Sequence, residues 1–98
     1  MNMQAMLKQA QKLQKDMLEA QEKINNKEFT GKSSIVTVKM SGTKELTDVK
    51  IDLEKIEEDD IELLQDMIVV AVNDAINQIN KETEEKMGAY TKGMPGLF

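Results

Sequence analysis

The feature that most constrains this chain is an unbroken apolar run, Met67-Ile68-Val69-Val70-Ala71-Val72, preceded by Leu63-Leu64-Gln65-Asp66 and followed by Asn73-Asp74-Ala75. The surrounding pattern is helical: Ile61, Leu64, Ile68, Val72, Ala75 and Ile79 line one face, and Leu63, Met67 and Val70 line a second. A helix that carries six consecutive apolar residues through its middle has to bury nearly its whole circumference there. The chain has 98 residues, enough for one domain. Such a domain buries only roughly 60 to 68% of the surface its unfolded chain exposes. One small sheet cannot cover a helix on all sides. The run therefore predicts a homodimer with Met67, Ile68, Val69, Val70 and Val72 at the interface.

Several function classes are removed by what the chain lacks. It has no Cys, no His and no Trp, and all 13 of its basic residues are Lys. Thiolate nucleophiles, imidazole acid–base catalysis, the usual zinc sites and bidentate guanidinium clamps are thus excluded. No phosphate loop or activated nucleophile can be picked out, so the chain reads as a non-enzyme without a cofactor. The absence of cysteine fits a reducing compartment. The longest apolar run is far shorter than the ~20 residues needed to span a bilayer. Lys8 and Lys12 interrupt the place where a signal peptide would carry its apolar segment. A cytoplasmic location, away from membranes, follows as the expectation.

A first helix is predicted from about Asn2 to Ile24. Met3, Met6, Ala10, Leu13, Met17, Ala20 and Ile24 are spaced alternately three and four residues apart, a heptad stripe that reads as a buried seam, either against the chain's own sheet or in a coiled coil. Asn25-Asn26-Lys27 ends the helix, with Asn suited to a left-handed cap. Three strands follow, near 28–31, 35–40 and 45–51, with Ser41-Gly42 supplying a turn and a slip of alternation between Leu46 and Val49 that suggests a bulge. A short helical turn is expected at Leu53–Ile56 with Asp52 as its cap. Asp59 and Glu62 have capping-box spacing at the start of the long C-terminal helix, which Gly88 is expected to stop. The fold class is α+β, with a single domain over 1–88 and a flexible tail over 89–98. At about 35 and 40 Å, the two helices exceed the roughly 33 Å diameter of a compact domain of this size, so at least one end should project.

The net charge of −5 is unevenly placed. Residues 1–51 carry nine Lys against six acids (+3), residues 52–66 one Lys against eight (−7), and residues 67–98 three against four (−1). Lys8, Lys12 and Lys15 fall within about 60° on a helical wheel, opposite much of the apolar stripe, a spacing that can follow phosphates. Gln4 and Gln11 flank them and can donate to phosphate oxygens or base edges. A solvated helix face is the commoner origin of such a triplet. Lys81 and Lys86 sit four residues from Glu85 and Glu82 and are expected to pair with them. The acids between Glu57 and Glu62 lack the glycine-turned spacing of a calcium loop and read as favourable charge at a helix N-terminus, not as a metal site. Three scattered aromatics, Phe29, Tyr90 and Phe98, form no stacking platform, which favours duplex over single-stranded DNA.

Taken in order, the segments Met3–Gln14, Ile35–Gly42, Val49-Lys50-Ile51-Asp52, Asp66–Ala75 and Met94-Pro95-Gly96 resemble the YbaB/EbfC family of bacterial nucleoid-associated proteins. The resemblance covers nearly the whole chain and implies an intertwined, tweezer-like homodimer. Its projecting helical arms would bind duplex DNA with little sequence preference. The chain departs from the family where a glycine-rich segment between the first two strands is reduced to Lys32-Ser33-Ser34, where Leu53 stands in place of a common Pro, and where Gln65 replaces a common acid. The resulting reading is a nucleoid-associated DNA-binding protein that uses Lys8, Lys12, Lys15, Gln4 and Gln11. Its competitor is a protein–protein adaptor for recombination or repair machinery, suggested by the acidic total and by Met94, Leu97 and Phe98 in the tail.

Overall fold

The first helix, α1 (Met3–Asn25), is 23 residues of good helix formers, with no Gly, Pro or β-branched residue before Ile24. Asn2 caps it: its side-chain oxygen accepts from the Gln4 backbone N–H at 3.0 Å. At the other end the Asn26 N–H reaches the Glu22 carbonyl at 3.0 Å and the Lys27 N–H reaches that of Ile24 at 3.1 Å. Asn26 stays in the right-handed region, so the expected left-handed cap is not formed. The computed structural model describes residues 2–91.

Three strands, β1 (Glu28–Ser33), β2 (Val36–Ser41) and β3 (Leu46–Ile51), form an antiparallel sheet in sequential order. The β1–β2 hairpin turns through Ser34 and Ile35, and Ser34 takes the positive φ (51°) that a two-residue turn requires and that Gly would normally supply. Between β2 and β3, Met40 pairs with Leu46 while Lys39 pairs with Asp48, leaving Thr47 as the bulged residue. Its hydroxyl donates to the Lys39 carbonyl at 3.1 Å. The break in alternation expected between Leu46 and Val49 is this bulge. Asp52 does not cap a helical turn at 53–56. Its backbone N–H instead continues the ladder to the Ile35 carbonyl at 2.9 Å, and the short helical turn falls at Glu58–Asp60. The reciprocal cap is correspondingly two residues upstream of the expected one, with the Glu57 N–H donating to the Asp60 carboxylate at 3.0 Å.

The long helix α2 (Ile61–Thr91) runs through Gly88 and past the expected stop. Glycine at an open helical position costs about 1 kcal/mol but does not by itself end a helix. Tyr90 beyond it is half-buried against α1, which offsets that cost. Ala71, Ala75, Ile79 and Leu64 join Phe29, Val36, Val38, Met40 and Ile24 in the core. The approach between β1 and α2 is close because Gly31 faces Ala71 and Ala75 without a side chain. Gly42 lies as tightly against the Ile24 carbonyl at the end of α1. On the free edge of β1, Gln78 donates to the Thr30 carbonyl at 2.8 Å and Asp74 accepts from the Lys32 N–H at 3.0 Å, so α2 satisfies groups an edge strand would otherwise leave open. Among the described residues no helix is long and apolar enough to cross a membrane.

The molecule is strongly elongated, with extents of 71 × 22 × 13 Å and a radius of gyration of 19.7 Å. A compact chain of this length would have a radius near 13 Å. The projection comes from α1. Asp16, Glu19, Ala20 and Lys23 share a cleft with Glu82, Lys86 and Tyr90, so α1 lies antiparallel along the C-terminal part of α2. The heptad stripe is accordingly a seam against α2, not against the sheet, and it is covered only from Leu13 to Ile24. Met3, Met6 and Ala10 are exposed, contrary to the expectation of a continuous buried stripe, because they lie more than a turn beyond Asp16, the first α1 residue in the cleft shared with α2.

Candidate nucleic-acid interface

Lys8, Lys12 and Lys15, with Gln4 and Gln11, are all exposed on the projecting part of α1. At 100° per residue they fill an arc of about 100° facing away from the Met3–Met6–Ala10 side. Helical rise places Lys8 and Lys15 about 10 Å apart along the axis, a length over which a DNA duplex presents about three phosphates per strand. None of the three lysines has an ion pair among the described residues, so their ammonium groups are free to meet an external anion.

The electrostatic setting is more favourable than the net charge implies. Residues 2–15 contain no acid; acids return at Asp16 and Glu19, at the root of the arm. The acidic segment 57–62 lies at the N-terminal end of α2, and the arm leaves from its C-terminal end. From Glu62 to Tyr90 the helix rises about 42 Å, roughly five Debye lengths at physiological ionic strength. Those carboxylates therefore contribute little at the lysine face. Lysine is also suited to the task, since it binds phosphate as a point charge without needing a fixed geometry.

Two features of the arm's base lay outside the sequence reading. Lys27 reaches Glu82 at 2.5 Å and sits 5.2 Å above the centre of the Phe29 ring, tying the end of α1 to both α2 and β1. Glu82 is therefore engaged by Lys27 and not by Lys86, its neighbour one turn along the same helix. Among the described residues the other ion pair is Lys39–Glu28, at 3.5 Å, and the expected Lys81–Glu85 pair is not formed. Spacing four residues apart favours local pairing, whereas a partner 55 positions away leaves no periodic signal.

The apolar residues assigned to an interface occupy two kinds of position. Met67, Ile68 and Val72 pack partly against the chain's own core, whereas Val69 and Val70 remain 58% and 55% exposed. The sheet is also incompletely covered. Leu46, Val49 and Ile51 pair with Met40, Val38 and Val36 and so share the face that α2 covers over β1 and β2. Yet every residue of β3 except the half-buried Ile51 is exposed. The tail residues Met94, Leu97 and Phe98 lie outside the described residues.

A family model described as the YbaB/EbfC DNA-binding family matches residues 1–94. A protein of Lactococcus lactis subsp. cremoris named nucleoid-associated protein is 54% identical over 97 residues, covering 97% of this chain and 98% of its own length. One of Enterococcus faecalis with the same name is 47% identical over 98 residues, covering 98% of this chain and 94% of its own.

Proposed function

This chain belongs to the YbaB/EbfC DNA-binding family, and from that premise we propose that it acts as a nucleoid-associated homodimer. In this reading it grips duplex DNA, with little sequence preference, through the lysine faces of two projecting α1 arms. The family is a DNA-binding one and not a known enzyme family. The observation that carries the proposal is the arm itself: three exposed lysines on one face with no ion pair among the described residues, no acid before Asp16, and the main acidic segment at the far end of α2. Low sequence preference follows from the chemistry. Contacts to phosphates fix position without reading bases, and with no Arg the commonest bidentate contact to guanine is unavailable. Gln4 and Gln11 provide weaker polar contacts beside the lysines.

The dimer is supported by the uncovered apolar surface. Relative to Ala71, which faces the sheet, Val69 lies about 160° round α2, and Val70 lies about 100° round on the side away from Val72. The open row on β3 adds apolar surface on the sheet. A partner that covers all three must wrap α2 instead of meeting one flat face, which is the intertwined arrangement. Two arms per assembly then present six lysines. A cytoplasmic, nucleoid location accompanies this function and agrees with the relatives' names. The adaptor alternative draws no support from the family or the relatives.

The direct test is fluorescence anisotropy with two duplexes of unrelated sequence at about 20 mM salt, where electrostatic binding is strongest. Similar saturable binding to both is expected. A folded protein that binds neither would overturn the proposal.

A further inference from the structure

The arm is held by its root. Of the residues in α1 only Ile24, in the last turn, is buried, and the half-buried ones begin no earlier than Leu13. From Ile24 to Lys8 the helix rises about 24 Å, so a tilt of about 10° at the root carries Lys8 through about 4 Å, more than the ~3.4 Å between successive phosphates of one strand along a duplex. Where the lysines stand is therefore decided where α1 meets the body. One residue occupies that junction. The Lys27 N–H donates to the Ile24 carbonyl at 3.1 Å, the Lys27 carbonyl accepts from the Gly42 N–H at 3.1 Å, and its ammonium group binds Glu82 of α2 from above the Phe29 ring of β1. The backbone beside it is tightly packed, since a Cβ on Gly42 would stand 1.8 Å from the Ile24 carbonyl oxygen. The Glu82 side chain is only 19% exposed, so the pair is screened less than one between two fully solvated side chains.

Resting on the DNA-binding reading above, we propose that Lys27 is the positioning residue of the arm: paired with Glu82, it fixes the direction of α1 and so the placement of Lys8, Lys12 and Lys15, without touching DNA itself. Its ammonium group is already engaged by Glu82 and differs in this from the three lysines of the arm. The consequence has a sign opposite to that of charge alone. Removing the Glu82 carboxylate makes an acidic protein less acidic, which by itself favours a polyanion. With the root unlatched, binding weakens instead. An arm that points correctly a fifth of the time lowers the apparent affinity about fivefold.

The direction of α1 is measured first without DNA. The chain has no native cysteine, so spin labels on Gln9→Cys and Asp48→Cys, both exposed, report the distance from arm to sheet by double electron-electron resonance. An excess of unlabelled protein keeps the measured distances within one chain. A single narrow distribution is expected, broadened or shifted by Glu82→Ala and by Lys27→Met but retained by Lys27→Arg, which keeps both the charge and the ring contact. The same variants without labels are then titrated with duplex DNA at about 50 mM salt, where Glu82→Ala should bind about fivefold more weakly and Lys27→Arg like the unaltered protein. An unchanged distance distribution in Glu82→Ala and Lys27→Met, or equal or tighter DNA binding by Glu82→Ala, would overturn the proposal. If the unaltered protein itself binds no duplex, it is the DNA reading that fails, and the distance distribution still decides whether Lys27 fixes the arm.

Discussion

Gly31 of β1 lies against Ala71 of α2 so closely that a Cβ on Gly31 would stand 2.1 Å from the Ala71 carbonyl oxygen. That atom belongs to helix backbone and cannot swing aside. The close seating of helix on sheet therefore depends on a hydrogen atom at position 31 and a methyl at positions 71 and 75. Gly31→Ala is expected to destabilise the fold by about 2–3 kcal/mol or more through overpacking. Urea denaturation at matched protein concentration measures this, and an unchanged midpoint would show that the helix can lift away freely.

The β1–β2 turn holds the opposite situation. Ser34 has a φ of 51°, where an L side chain is strained. Ser34→Gly relieves about 1–2 kcal/mol of backbone strain, but Gly has more conformational freedom to lose on folding. A net gain of about 0.5–1 kcal/mol is expected in the same denaturation experiment. A loss of stability would mean that the Ser34 side chain contributes more than its conformation costs.

Val70 distinguishes a dimer from a self-sufficient chain. It is 55% exposed, so Val70→Asp adds little strain to one protomer but buries an unpaired charge at the proposed interface, a penalty of several kcal/mol. Sedimentation should show about twice the 11.1 kDa chain mass for the unaltered protein and a monomeric or unfolded species for the variant. An unaltered protein that is a folded monomer at micromolar concentration would contradict the dimer.

The residues that could be read in advance share a reason: their signals are local. The start of the first helix near Asn2, the break of alternation that became the Thr47 bulge, and the long apolar helix each depend on neighbours within a few positions. The shared, exposed face of Lys8, Lys12 and Lys15 follows from the same cause, since helical spacing alone places them together. Other features depended on distant backbone. Asp52 has the composition of a helix cap but is drawn into the ladder by Ile35, and Glu82 is claimed by Lys27 across 55 positions. Met3 and Met6 have the same local spacing as Met17 and Ala20 but lie outside the stretch of α1 that shares a cleft with α2, a difference that spacing alone does not carry. The separation between the acidic segment and the lysine face is likewise a product of topology, which composition averages away.

The most direct measurement of the central claim is the salt dependence of DNA affinity, compared between the unaltered protein and a Lys8→Gln/Lys12→Gln/Lys15→Gln variant. With two arms and up to six phosphate contacts, the logarithm of the binding constant should fall with a slope of about −5 against the logarithm of salt concentration. That amounts to roughly 10³-fold between about 50 and 200 mM. The variant should remain folded and of unchanged mass, bind unrelated duplexes more weakly to a similar extent, and show a slope near zero. A variant that keeps the full slope and affinity would contradict the account, because the phosphate contacts would then lie elsewhere on the protein.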